Sequence, residues 1–145
     1  YLEAARGAGR DYQFGENTCL VRTVHFADSR EDLLRKIETV EYPVWKSWYQ
    51  PFHFTEALRF PDEEGPVPKD NETLAERMLD AGELLGGTVQ QVRDQLQQQL
   101  ERTQSEYLML LLHLGIMSRE ETIQQLETFA EDVLPELDET VVAAS

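Results

Sequence analysis

The side chains with the widest chemical range in this chain are three histidines, His25, His53 and His113, and a single cysteine, Cys19. They lie far apart and show no HxxxH or CxxC spacing, so the sequence does not predict a metal site. His25 and His113 each stand near the end of an apolar run, and His113 is our candidate catalytic residue. The alternative for both is a strand-end histidine bonded to backbone. Cys19 is typical of a small core residue.

A glycine pair, Gly86 and Gly87, precedes Thr88, which has the type and position of a helix N-cap. The free N–H groups and the dipole of a helix start attract anions, and a cofactor phosphate would suit such a place. Gly87 and Thr88 are therefore candidate cofactor-binding residues. The alternative is that Thr88 only caps its helix, with Gln91 completing a capping box.

Aromatic side chains are concentrated in one stretch of the chain, at Trp45, Trp48, Tyr49, Phe52, Phe54 and Phe60. Such a surface can line a pocket for an apolar molecule, and Trp45, Trp48 and Phe52 are candidate substrate-pocket residues. The alternative is ordinary helix packing. The Pro-rich and Gly-containing loop at 61–71 is either a plain connector or a mobile segment over a site.

Composition limits the partners of the chain. Its 145 residues, 41% of them hydrophobic, predict one packed domain. The net charge of −15 argues against nucleic acid and against an anionic membrane surface. No apolar run reaches the roughly 18 residues of a membrane span. One cysteine and no signal-peptide pattern favour a reducing, cytoplasmic location.

The elements that must position these side chains alternate between strand and helix. A helix is expected at 1–8 and apolar strands at 18–27 and 107–114, of the kind buried on both faces of a parallel sheet. Ser29 opens a helix that Pro43 should kink or split. A short helix is expected at 73–81, and Gly86-Gly87 is expected to form a turn.

The last two helices have clear predicted starts. Thr88 begins one of them. Its predicted buried stripe is Val89, Val92, Leu96 and Leu100, and the Gln-rich remainder of the helix is expected to face water. Ser118 with Glu121 begins the other, which Pro135 is expected to close. Its predicted buried stripe is Ile123, Leu126, Phe129, Ala130, Val133 and Leu134.

The predicted fold class is α/β, with two parallel strands and surrounding helices. Two strands buried on both faces leave edges unpaired, and three or more strands are the usual minimum. The sequence therefore predicts a chain that is incomplete alone. It is completed either by a larger parent or by a homodimer or strand-sharing oligomer.

Two segments resemble the end of bacterial luciferase-like flavin-dependent monooxygenases. They are Leu84-Leu-Gly-Gly-Thr-Val-Gln-Gln-Val92, and the apolar run 107–115 continuing to the Phe129-Ala130 to Pro135 segment. The start of the chain is similar to an earlier helix and strand of that family. Val89 departs from the family pattern, which usually has proline there as a helix-N1 preference.

The resemblance implies that residues 1–137 are the C-terminal part of a (β/α)8 barrel, its last two to three βα units, with 138–145 a flexible tail. Such barrels need about 200 to 400 residues. The resemblance further implies a parent enzyme that uses reduced FMN and O2 on a small organic substrate, such as an aldehyde. The absent portion would hold most of the flavin, so this chain alone is expected to bind no flavin and to be inactive.

Two alternatives remain open from the sequence. One is a non-catalytic α/β module that assembles with itself or with a larger subunit. The other is a deazaflavin-dependent relative, which shares the barrel. Nothing in the residues separates the two flavins.

Overall fold

Three parallel strands form the sheet of the computed structural model, which describes residues 1–112 and 116–141. They are β1 Cys19–Phe26, β2 Leu84–Gly87 and β3 Tyr107–Leu111. The strand order is β2-β1-β3, with β1 in the centre. The helices are α1 Leu2–Gly7, α2 Arg30–Lys36, α3 Tyr42–Val44, α4 Leu74–Asp80, α5 Val89–Thr103, α6 Arg119–Thr128 and α7 Leu134–Val141.

The α/β class is confirmed, whereas the predicted turn at Gly86-Gly87 is wrong because both glycines belong to β2. They pair with His25 and Phe26 of β1. Four residues, two of them glycine, have little strand propensity of their own. At Gly86 a Cβ atom would lie 2.5 Å from Leu33 Cδ1. Helix α2 therefore packs directly on this backbone, and tertiary contact rather than local preference makes the strand.

The order of the strands differs from the arrangement that the resemblance implies. A (β/α)8 barrel places each strand beside the next one in the chain. Here β2 and β3 are consecutive in the chain, yet β1 lies between them. An order of 2-1-3 is found in open, doubly wound sheets.

Helices cover both faces of the sheet, but unequally. One face carries α5 and the C-terminal helices over a core of Leu20, Val24, Phe26, Leu85, Val92, Leu96, Leu112, Val133 and Leu137. The other carries α2 to α4 over a core of Ala27, Leu33, Ile37, Trp45, Leu58, Ala75, Met78 and Leu84. On this second face Val21, Tyr107 and Met109 are exposed. The expectation that both long strands are buried on both faces is therefore wrong.

Helix α5 uses glutamines to cover the outer edge of β2. The Gln95 carboxamide accepts from Gly86 N at 3.3 Å and donates to Gly86 O at 3.0 Å. One turn away, Gln99 Nε2 donates to the Gly82 carbonyl at 2.9 Å. The prediction that the Gln-rich side of this helix faces water is wrong for these residues, because they replace a missing strand.

Two prolines have different effects from those expected. Pro43 does not interrupt the helix, which runs on from α2 through a π-helical turn Ile37–Glu41, α3 and a second π-helical turn Trp45–Tyr49, with helical backbone angles at each junction. Pro135 does not close the last helix, which continues from α6 through the π-helical turn Phe129–Val133 into α7. Proline at the start of a new helical segment lacks only an N–H that needs no partner there.

The last helix also buries a different face from the predicted one. Val133 is fully buried, while Ile123, Leu126 and Leu134 are exposed and Gln125 is buried. Backbone helix reaches Val141, past the point where the tail is expected to begin, and residues 142–145 lie outside the described part. No helix within the described ranges is long and apolar enough to cross a membrane.

Candidate functional site

A polar cavity of about 500 Å³ lies at the carboxyl ends of β1 and β2. Parallel α/β sheets bind ligands at this edge, because strand ends and helix N-termini converge there. The loop after β1, the junction of β2 with α5, and helices α2 and α6 all contribute. The polar and charged side chains that line it are Asp28, Asp32, Lys36, Thr88, Gln90, Gln124, Gln125, Thr128 and Asp132.

The structure places Gly87 and Thr88 in this cavity, yet Thr88 is already occupied as a cap. Its N–H donates to Gln91 Oε1 at 2.9 Å, and its Oγ1 accepts from Gln91 N at 3.4 Å. Gly87 has a φ of +128°, and a Cβ there would lie 2.3 Å from the same Gln91 Oε1. The capping box therefore requires both residues, and it leaves the N–H groups of Val89 and Gln90 for a ligand.

Charge in the cavity opposes a phosphate. Asp28, Asp32 and Asp132 line it, against the single ammonium of Lys36. Lys36 Nζ also donates to the Phe26 carbonyl at 2.7 Å, which ties it to the end of β1. An excess of carboxylates repels an anion, so the lining is better suited to hydroxyl groups and N–H donors than to a flavin phosphate.

Gln125 is a site residue that the sequence reasoning missed. Its side chain is buried, and Oε1 accepts from Phe26 N at 2.9 Å, which completes the hydrogen bonding of the last residue of β1. The signal in the sequence is weak, because a glutamine on a helix is usually exposed. The side of α6 that carries Gln125 faces inward, and the π-helical turn after α6 brings Val133 into the core on the same side of the sheet.

His25 lies beside this edge, one residue before the end of β1, and is 1% exposed. Its Nε2 is 2.5 Å from Oε1 of Glu41, which is also buried. Among the described residues its Nδ1 has no hydrogen-bond partner. The partner of this histidine is thus a carboxylate, not backbone, and the π-helical turn Ile37–Glu41 brings that carboxylate to it.

The remaining candidates are separated from this site. His113 lies outside the described residues. His53 has a left-handed φ of 60° and stands on another surface, in a cavity with Tyr42. Cys19 is exposed, so its prediction as a core residue is wrong: it lies on the part of the sheet face where Val21, Tyr107 and Met109 are exposed too.

The three candidate substrate-pocket residues of the aromatic stretch are divided between the core and the surface. Trp45 is buried in the helix layer, with its ring centroid 4.9 Å from that of Tyr49. Trp48 and Phe52 are 73% and 72% exposed. Helix packing therefore accounts for Trp45, whereas the other two lie on open surface.

Within the described ranges, no group of three His, Cys, Asp or Glu side chains is arranged to hold a metal ion. The chain matches no protein-family model, no curated protein and no solved structure.

Proposed function

We propose that this chain is the C-terminal part of a flavin-dependent monooxygenase of the luciferase-like kind, which uses reduced FMN and O2 to oxidise a small organic substrate. The observation that carries the proposal is the polar cavity at the carboxyl ends of β1 and β2. It stands beside the segment 84–92, whose residues carry part of the sequence resemblance.

The topology supports a ligand at this edge. The helix after β1, α2, packs on one face of the sheet, and the helix after β2, α5, packs on the other. Neighbouring strands with connections to opposite faces leave a crevice at their carboxyl ends, and sheets of the flavodoxin type hold FMN in such a crevice. This support is by analogy of fold. A barrel, which the resemblance implies, would place the ligand at the same edge of its strands.

The residues of this chain would bind and orient the flavin, which itself supplies the oxygen chemistry when bound. Gln90, Gln124 and Thr128 offer hydrogen-bonding groups to the ring or to the ribityl hydroxyls. The carboxylates keep the phosphate out of this cavity, so other parts of the parent enzyme would hold it. The isolated chain should accordingly bind flavin weakly and be inactive.

Amide NMR shifts during titration with FMN and with riboflavin, which lacks the phosphate, test this proposal. We expect weak, saturable shifts at Gly87 to Gln90, with riboflavin bound at least as tightly as FMN. Thr128→Trp should fill the cavity and weaken riboflavin binding at least about 10-fold, or about 1.4 kcal/mol. Glu127→Trp, on the exposed neighbouring position, is the matched control. Shifts that do not saturate, or that Thr128→Trp leaves unchanged, would refute the proposal.

The alternative of a non-catalytic, self-assembling module is favoured by a separate observation: β3 is an edge strand, and no residue in the described part of the chain pairs with its outer side. The β3 edge is a different surface from the cavity at the carboxyl ends of the strands.

A further inference from the structure

The two edges of the sheet differ in whether side chains bond their outward backbone groups. At the β2 edge, the Gln95 side chain bonds both the N–H and the carbonyl of Gly86 that point away from β1. At the β3 edge, no described residue lies alongside the strand in this way. An edge without cover is a template for pairing with another strand.

The composition of β3 leaves this edge unprotected. Its five residues, Tyr107-Leu-Met-Leu-Leu111, include no charge and no proline, which are the usual devices against edge pairing. Tyr107 N donates to Thr18 O at 3.1 Å, so the backbone groups of Tyr107, Met109 and Leu111 point towards β1. By alternation, those of Leu108 and Leu110 point outwards and are available to a partner.

We infer that the outer edge of β3 binds the same edge of a second copy of this chain, antiparallel about a twofold axis at Met109. Leu108 then pairs with Leu110 of the second copy, and both present outward backbone groups. The result is one continuous sheet in the order β2-β1-β3-β3-β1-β2. This contact does not involve the cavity at the carboxyl edge.

Charge limits where two copies can meet and favours the antiparallel direction. The chain carries a net charge of −15, so two copies repel wherever acidic surfaces meet, and β3 is an uncharged strip. Glu106 stands immediately before the strand. Antiparallel pairing sets Glu106 opposite Leu112 of the second copy, whereas parallel pairing in register would set Glu106 against Glu106.

Apolar burial favours the same arrangement. Met109 is 54% exposed and Tyr107 is 56% exposed on the uncovered face. At the axis, Met109 meets Met109 as a non-hydrogen-bonded pair, in which the Cα atoms come within about 4.5 Å. A strand of this length buries little area, so the dimer should be weak and dependent on concentration.

Cysteine cross-linking tests the register directly. In a Cys19→Ser background, Met109→Cys should form a disulfide-linked dimer on mild oxidation, because about 4.5 Å between Cα atoms suits a disulfide. Tyr107→Cys in the same background is the control. Residue 107 lies opposite residue 111 of the second copy, so the two cysteines would be roughly 13 Å apart and should not react. Equal cross-linking of both variants, or none, would overturn the proposed pairing.

Sedimentation velocity over a concentration series tests the edge without cysteines. Met109→Lys adds a charge at the axis, and Leu110→Pro removes an outward N–H, so each should weaken the dimer at least about 10-fold. Trp48→Lys replaces an equally exposed aromatic residue on another surface and should have no effect. A chain that is monomeric at every concentration, or a dimer that Trp48→Lys dissociates and Met109→Lys does not, contradicts the inference.

Discussion

Arg77 is a charged residue that is only 1% exposed, so its partners decide whether its burial is stable. Its Nη1 and Nη2 donate to the two carboxylate oxygens of Glu63 at 2.9 and 2.8 Å, and its Nη2 donates to Glu72 at 2.6 Å. The Phe60 ring centroid lies 4.7 Å from the guanidinium carbon. A bidentate contact between a guanidinium and a carboxylate fixes the orientation of both side chains. This contact attaches the loop at 61–71 to α4, which favours the interpretation of the loop as a plain connector over that of a mobile segment above a site.

Glu63→Gln should change the acid sensitivity of the fold. The hydrogen bonds from Arg77, followed by that from the Phe60 backbone, lower the pKa of Glu63 from 4.5 to about 2. A lowered folded pKa means that this contact stabilises the fold above about 4.5 and that the stabilisation is lost as the pH falls towards 2. Melting temperatures from pH 7 to pH 2 should show the variant less stable than the native chain at pH 6, with the gap closing at pH 2.

The control for this prediction is Glu64→Gln, which removes the same charge from an exposed neighbour that is not a partner of Arg77. A gap that stays constant with pH in Glu63→Gln would show that the Arg77 contact does not set the acid response.

His25 and Glu41 form a buried side-chain contact, and truncating each of the two residues should lower the free energy of unfolding by a different amount. His25→Leu leaves the Glu41 carboxylate buried without its partner, which typically costs about 3–5 kcal/mol. Glu41→Leu leaves a buried imidazole nitrogen without its hydrogen-bond partner, which typically costs about 1–3 kcal/mol, so the loss should be smaller. Urea denaturation at pH 7 measures both. Equal losses would mean that the contact acts through packing alone and not through charge.

At the scale of elements, glutamine side chains of α5 bond backbone groups at the outer edge of β2, where a further strand would otherwise pair. Gln91, Gln95 and Gln99 recur every four residues and so lie on one side of the helix, next to β2. Each bonds backbone at or beside β2, and Gln99 Oε1 additionally accepts from Arg22 Nε at 2.6 Å. Hydrophobic patterning cannot find this interaction, because it counts glutamine only as polar.

Gln95→Leu should destabilise the chain, although glutamine to leucine is usually harmless on a helix surface. The change leaves the Gly86 N–H and carbonyl without their partner, which should lower the free energy of unfolding by about 1–3 kcal/mol. It should also reduce the hydrogen-exchange protection of the Gly86 amide. Gln98→Leu, at an exposed position of the same helix, is the control and should have little effect on either measurement. Unchanged Gly86 exchange in Gln95→Leu would contradict the edge-capping role.

At the scale of the whole molecule, the position of β3 decides between an open sheet and part of a barrel. Tyr107 is the register partner of Cys19 across β1 and β3, and both side chains are exposed. In a barrel β3 would neighbour β2 instead, and Cys19 would be remote from residue 107.

Tyr107→Cys in the otherwise native chain should therefore form an internal disulfide with Cys19. Paired residues on adjacent strands have Cα atoms about 4.8 Å apart, within the range that a disulfide accepts. Mass spectrometry of the unreduced monomer measures the bond. Leu108→Cys, which points to the opposite face, should remain a free thiol. A free thiol in Tyr107→Cys as well would favour the barrel order.

How far the sequence predicts this protein depends on the range of the interaction involved. The predicted N-caps Ser29, Thr88 and Ser118 are confirmed, because a cap bonds backbone only three residues away. Of the candidate site, Gly87 and Thr88 are found in the cavity at the carboxyl edge. Gln125 and the Glu41 partner of His25 were not predicted, since π-helical turns change which side of a helix faces inward.

By itself, the sequence determined the α/β class, the two apolar strands β1 and β3, the helix starts and the acidic surface. All of these follow from composition and from contacts within a few residues. Only the tertiary structure decided the third strand, the order β2-β1-β3 and the uncovered edge of β3. The physical reason is that β2 has almost no strand preference of its own. It exists because β1 lies beside it, Leu33 packs on Gly86, and Gln95 takes the place of a neighbouring strand.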